Sequence, residues 1–192
     1  MKLKHALDEL EFDVEGLSAA DYGCHLGGFT DCLLQEGVDP VYAVDTGYGI
    51  LNWFLRIDAR VIVLERFNAM HTRLPEPVDL VACDVGWTQQ RHILPAALQN
   101  VKQDGHILSL FKPQYEAPRD LVHDGVVNEE DYGQVLEDTL EELEELGLPV
   151  SRVVDVPHRR KSANREAFFL LHPGDCDLVR EAEPELDQEP EL

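Results

Sequence analysis

Residues Asp21 to Thr30 read Asp-Tyr-Gly-Cys-His-Leu-Gly-Gly-Phe-Thr, a glycine-rich hinge between a short apolar run and an amphipathic segment. A strand, a glycine loop and a helix in that order make a nucleotide-cofactor site, because the helix N-terminus offers unpaired amides. Gly23, Gly27 and Gly28 follow Gly-x-x-x-Gly-Gly, not the Gly-x-Gly-x-x-Gly that closes on a pyrophosphate. No Gly-Lys-Ser or Gly-Lys-Thr follows them, which excludes a P-loop. The wider loop suits a cofactor without phosphates, S-adenosylmethionine (SAM), with Asp21 facing its ammonium. The same residues also serve as a plain turn in an α/β protein, so the reading needs support elsewhere in the chain.

Other apolar runs end in groups of the right kind. Val41-Tyr42-Ala43-Val44-Asp45 has the pattern of a buried strand closed by an acid, which makes Asp45 the candidate ligand of the adenosine ribose. Val61-Ile62-Val63-Leu64-Glu65 ends near Asn68, whose amide would face the adenine or, equally, form a turn. Asp84 stands in Val-Ala-Cys-Asp-Val-Gly-Trp, and Lys112 in Leu-Ser-Leu-Phe-Lys-Pro-Gln-Tyr-Glu. Glu166 opens the last apolar run, Ala-Phe-Phe-Leu-Leu. Each is a candidate for the rim of a cleft, and each has the alternative of a strand-end salt bridge.

The elements that must position these groups alternate along the chain. An opening helix (Leu3, Ala6, Leu7, Leu10) leads to a strand over 18–23, then a helix over 29–36 with Thr30 as its cap. Strand 41–45, helix 49–56 and strand 61–65 follow, then strand 78–84, helix 89–101 and strand 106–111, which Pro113 ends. An acidic helix over 129–146 stops at Gly147, and strands 151–156 and 167–171 close the domain. This alternation predicts an α/β fold, a mostly parallel sheet with helices on both faces and ligands outside the carboxyl ends of its strands.

At 192 residues and 44% hydrophobic, the chain suits one domain, placed at 1–173, with an acidic, disordered tail over 174–192. No long apolar run and no signal-peptide core occur, so a soluble, cytoplasmic protein is expected, with no membrane partner. Cys24, Cys32, Cys83 and Cys176 form no Cys-x-x-Cys pair and no His-Glu-x-x-His occurs, so no metal is expected. The net charge of −22 argues against a polyanionic partner, but its distribution qualifies this. Nine acids and no Lys or Arg lie between Glu129 and Glu145, and the tail holds eight acids against Arg180 alone. Against them His158, Arg159, Arg160, Lys161 and Arg165 form a basic cluster, a candidate phosphate contact or a solvated loop.

Several motifs occur in order: Lys-Leu near the start, Asp-x-Gly-x-x-x-Gly-Gly-Phe-Thr-Asp, and Val-Tyr-Ala-Val-Asp-x-Gly-Tyr-Gly. Val-Asp-Leu-Val-x-x-Asp-Val, Ile-Leu-Pro-Ala, Lys-Pro-Gln-Tyr-Glu and Asn-Arg-Glu follow. Over about residues 2 to 172 the chain resembles the TlyA (haemolysin-A-like) branch of the FtsJ-type RNA 2′-O-ribose methyltransferases. The resemblance implies a Rossmann-like, seven-stranded SAM-binding sheet with an antiparallel final hairpin. It implies a Lys-Asp-Lys-Glu tetrad on Lys2, Asp84, Lys112 and Glu166, with Lys4 as the alternative first lysine. Cofactor contacts then fall on Asp21, Gly23, Gly27, Gly28, Phe29, Asp45, Asn68 and Asp84.

The implied substrate is RNA, rRNA being favoured, with Arg159, Arg160, Lys161 and Arg165 as phosphate contacts. Such chains usually carry an N-terminal S4-type RNA-binding module, so RNA capture here is expected from other surfaces or a separate RNA-binding partner. A ribose hydroxyl is a poor nucleophile until its proton leaves or its oxygen is held as an alkoxide. Lys112 suits either role. Desolvated, it would act as base; beside Asp84 and Glu166 it would stay an ammonium and stabilise the oxygen. Two other readings stay open, a methyltransferase for a non-RNA substrate and a non-catalytic SAM-binding protein.

Overall fold

In a computed structural model that describes residues 1–157 and 163–177, the elements run α1 (Lys2–Glu9), β1 (Ala19–Tyr22), α2 (Gly28–Gln35) and β2 (Val41–Asp45). Then come α3 (Trp53–Arg56), β3 (Val61–Glu65), β4 (Val78–Cys83), α4 (Gln90–Leu98), β5 (Val101–Phe111) and α5 (Pro113–Glu116). A two-stranded ribbon, β6 (Val122–His123) and β7 (Val126–Val127), precedes α6 (Glu129–Glu145), β8 (Arg152–Asp155) and β9 (Ala167–Leu171). The seven-stranded sheet has the order β3-β2-β1-β4-β5-β9-β8, parallel except at β9, which pairs antiparallel with β5 and β8.

β1 lies inside the sheet between β2 and β4, with all four of its residues buried and divided by period-two alternation between two cores. Ala20 and Tyr22 join Ile93, Leu94 and Leu143 beneath α4 and α6; Ala19 joins Leu3, Ala6 and Leu33 beneath α1 and α2. Asp21 therefore points to the α2 side. The chain winds from β1 through β2 to β3 on one side, then returns to place β4 on the other. The crevice at this reversal opens beyond the carboxyl ends of β1 and β4.

α1 packs Leu3, Ala6 and Leu7 into the core, each leucine worth about 1.5–3 kcal/mol of burial. His5 Nε2 meets the Asp155 carbonyl of β8 at 3.0 Å, which holds the first turn of α1 beside the antiparallel edge.

Several expected boundaries differ. Gly27, left-handed at φ 97°, is the N-cap of α2, and Thr30 lies inside the helix with its hydroxyl turned to Asp21. The helix expected over 49–56 forms only at Trp53–Arg56, because Asn52 caps it by accepting from the Phe54 amide. β5 begins at Val101, where α4 was expected to end, and α4 stops at Leu98. α5 and the β6–β7 ribbon are too short to leave a periodic signal. Contacts at the C-terminal end continue to Asp177, whose amide donates to the Gly147 carbonyl. Residues 158–162, with Arg159, Arg160 and Lys161, and the expected tail from 178 onward lie outside the described residues. Among the described residues no helix is long and apolar enough to cross a membrane.

Candidate active site

The turn after β1 forms one wall. Asp21 is wholly buried, and its Oδ2 accepts from Thr30 N at 2.8 Å and from Thr30 Oγ1 at 2.7 Å. Its Oδ1 has no hydrogen-bond partner among the described residues, and Asp21 lines a cavity of about 300 Å³ together with Lys2, Phe29 and Asp84. Burial, above all, pushes this carboxyl up to about 7; Thr30 opposes the shift, and the Asp84 and Asp45 charges add to it.

The glycines of the loop differ in what they do. A Cβ on Gly23, which has φ 83°, would stand 2.7 Å from the Asp84 carbonyl oxygen, so only glycine lets β1 and β4 end so close together. Gly27 instead presses against α3, where a Cβ would meet Leu55 Cδ1. Gly28 lines the cavity with open space before it. Phe29 lines it too, with its ring 5.7 Å from that of Phe168 on β9.

A second cavity, of about 380 Å³, shares Gly23, His25 and Asp84 with the first. Asp45 borders it, its Oδ2 accepting from His25 N at 2.8 Å and its Oδ1 from Gly47 N at 2.7 Å. Asn68 lies on the same wall beside Ala69 and Met70; its Oδ1 accepts from Met70 N at 3.0 Å, so the turn-forming role expected of it is present here.

The four charged candidates form two ion pairs. Lys112 Nζ lies 2.5 Å from Asp84 Oδ1 and donates to the Val85 carbonyl at 3.0 Å. Lys2 Nζ lies 2.5 Å from Glu166 Oε2. Lys2 and Asp84, one from each pair, line the first cavity. Lys4 points elsewhere, to Asp8 at 2.5 Å and Glu36 at 3.2 Å. Lys112 and Glu166 are largely shielded from solvent, whereas Lys2 is 42% exposed. Arg165 is engaged within the chain, pairing with Asp155 at 2.8 Å and Glu129 at 3.2 Å and stacking 4.5 Å from the Tyr132 ring.

Three side chains at the site carried little signal in the sequence. His25 lines both cavities from a left-handed backbone, φ 47°. Trp87, also left-handed at φ 59°, is 90% exposed and packs 5.4 Å from Tyr115, whose ring is 5.9 Å from Lys112 Nζ. A non-glycine residue held left-handed costs about 1 kcal/mol, and two of them meet at this cleft. Tyr115 was traceable as the residue three after Lys112, on the turn that Pro113 starts.

Known proteins share this arrangement of elements. Over 133 residues the chain is 41% identical to the 16S/23S rRNA (cytidine-2′-O)-methyltransferase TlyA of Mycobacterium tuberculosis, covering 64% of this chain and 49% of that protein. It is 34% identical to Hemolysin A of Brachyspira hyodysenteriae over 80% of this chain and 62% of the relative. The chain thus spans about half the length of the Mycobacterium relative. A solved structure of a hemolysin-type protein from Lactococcus lactis superposes with a TM-score of 0.83 at 29% identity, covering 95% of each chain. The family profile described as FtsJ-like methyltransferase matches residues 1–172, and the chain belongs to that family.

Proposed function

We propose that the protein transfers a methyl group from SAM to a ribose 2′-hydroxyl of RNA, with rRNA the favoured substrate. The observation that carries this reading is the pairing of Lys112 with Asp84 and of Lys2 with Glu166, with one member of each pair, Asp84 and Lys2, lining the first cavity. The activity for which the Mycobacterium relative is named, 2′-O-methylation of rRNA cytidine, points the same way.

The residues present fit the cofactor. The orphaned, buried Asp21 Oδ1 suits the ammonium of a methionyl group in the first cavity. In the second, Asp45 would take the ribose hydroxyls, and Asn68, Ala69 and Met70 would bound the adenine. When bound there, SAM supplies an electrophilic methyl group on a sulfonium. Lys112, as an ammonium, has three hydrogens; Asp84 and the Val85 carbonyl engage two, which leaves one for the substrate oxygen. Its charge would then stabilise the oxygen while the hydroxyl proton passes to solvent water at the open cleft. Glu166 holds Lys2 at the wall of the first cavity. Trp87, backed by Tyr115, offers a flat exposed face for the target base.

The test is incubation with methyl-labelled SAM and total RNA, beside protein and metabolite extracts, for the intact chain and Lys112→Ala. Label in RNA that the variant loses is the expected result. Label confined to another fraction overturns RNA as substrate, and SAM binding by calorimetry with no transfer to any fraction overturns the enzyme.

A further inference from the structure

α3 buries none of its residues: Trp53 and Phe54 are 66% and 77% exposed, and Tyr48, just before the helix, is 69% exposed. A soluble protein seldom leaves this much aromatic surface uncovered unless something binds it.

These rings connect to the cleft. The Arg66 amide donates to the Gly47 carbonyl at 3.0 Å, and the Phe67 amide to the Asp45 carbonyl at 3.1 Å, which ties the loop after β3 to the loop after β2. Across that seam the Arg66 guanidinium lies 4.3 Å from the Tyr48 ring. Phe67 and Trp87 both line the second cavity. On the outer side, Arg56 of α3 and the Gly49 amide both bind Glu65, so α3 is held against the same seam.

The local charge opposes that of the chain. Residues 46–73 hold Arg56, Arg60, Arg66 and Arg73 against only Asp58 and Glu65, whereas the whole chain has 16 Lys and Arg against 38 Asp and Glu. Both acids are neutralised inside the stretch, Asp58 by Arg60 at 2.8 Å and Glu65 by Arg56. Most of this surface repels a polyanion, so one approaches where acids are few and already paired, and here Arg66 lies over the Tyr48 ring beside further exposed aromatic faces.

We infer that the row from Phe67 through Tyr48 and Arg66 to Trp53 and Phe54 is a stacking track for the single-stranded RNA that flanks the target nucleotide. The inference rests on the RNA-methyltransferase reading above. Bases stack on the rings without regard to sequence, and Arg66 supplies a cation beside the backbone.

The test compares the full chain with Trp53→Ala/Phe54→Ala, using fluorescein-labelled oligouridylate for binding and rRNA for methyl transfer. The alanine variant should bind the oligomer about tenfold or more weakly. Its KM for rRNA should rise in step, with kcat at saturating rRNA and SAM affinity by calorimetry unchanged, the latter also reporting an intact fold. Trp53→Phe/Phe54→Tyr, which keeps flat rings, should bind as the intact chain does. Unchanged oligomer affinity in the alanine variant overturns the track. So does loss of a dimer in ultracentrifugation with affinity retained, which would assign the face to a second copy of this chain. Absence of methyl transfer to rRNA by the intact chain removes the enzymatic reading instead, and the oligomer binding still decides the track.

Discussion

Lys112 and Asp84 leave neighbouring parallel strands and meet 2.5 Å apart. β4 and β5 pair with Cys83 opposite Ser109, so Asp84 is one step past its strand while β5 runs on to Phe111. That overrun brings the lysine amine back over the end of β4, where it also takes the Val85 carbonyl.

Lys112→Ala removes the group proposed to hold the reacting oxygen. Methyl transfer should fall by on the order of 100- to 1,000-fold, the usual effect of losing one preorganised donor. SAM affinity, measured by calorimetry, should stay near that of the intact chain, since Lys112 lines neither cavity.

Lys2→Ala and Lys4→Ala separate the two N-terminal lysines. Lys2 borders the first cavity and pairs with Glu166, while Lys4 pairs with Asp8 and Glu36 on the far side of α1. Single-turnover transfer should drop at least tenfold in Lys2→Ala and change less than about twofold in Lys4→Ala, whose partners are surface charges. Equal effects in the two variants would detach Lys2 from the chemistry.

Asp21 is expected to make both stability and SAM affinity depend on pH. Its folded pKa of about 7 exceeds the ordinary 3.8, so the folded chain keeps a proton that the unfolded chain releases between those values. The stabilisation is therefore full below pH 3.8 and is lost as pH rises to about 7. Asp21→Asn stays neutral, so its melting temperature relative to the intact chain should climb across that window and level off above it. SAM affinity should run the other way in the intact chain, rising as Asp21 ionises towards pH 7 and above. In Asp21→Asn it should be weak and nearly independent of pH.

Gly23→Ala should displace the end of β4. A Cβ there meets the Asp84 carbonyl oxygen at 2.7 Å and carbon at 3.0 Å, both backbone atoms, and φ 83° is itself strained for alanine. Destabilisation of about 1–3 kcal/mol in urea titration and a marked loss of SAM affinity are expected. Gly28→Ala, with open space at its Cβ, should cost less stability.

Much of this was legible in one dimension. The runs at 41–45, 61–65 and 167–171 became β2, β3 and β9 with the expected bounds, because a short run of β-branched and large apolar residues reads as a strand whichever way it pairs. α5 and the β6–β7 ribbon were not legible, since a single turn or a two-residue strand has no period, and α3 was legible as a helix but starts at Trp53 and not at residue 49. Thr30 has the chemistry of a cap, and only its position above β1 shows that its hydroxyl serves Asp21. Trp87 has no assigned role in the sequence, and its place on the cavity wall and its contact with Tyr115 put it at the cleft.

By itself the sequence determined the order of strands and helices, the glycine hinge after the first strand and the kinds of charged group at the strand ends. Those features are local, written in the periodicity of apolar residues and in the backbone freedom of glycine. Tertiary structure alone decided which charged groups meet. Lys2 and Glu166 lie at opposite ends of the domain and come together because β9 inserts antiparallel between β5 and β8 while α1 docks against β8. Strand order of that kind is a balance of long-range burial and pairing over the whole sheet, and no short stretch of residues encodes it.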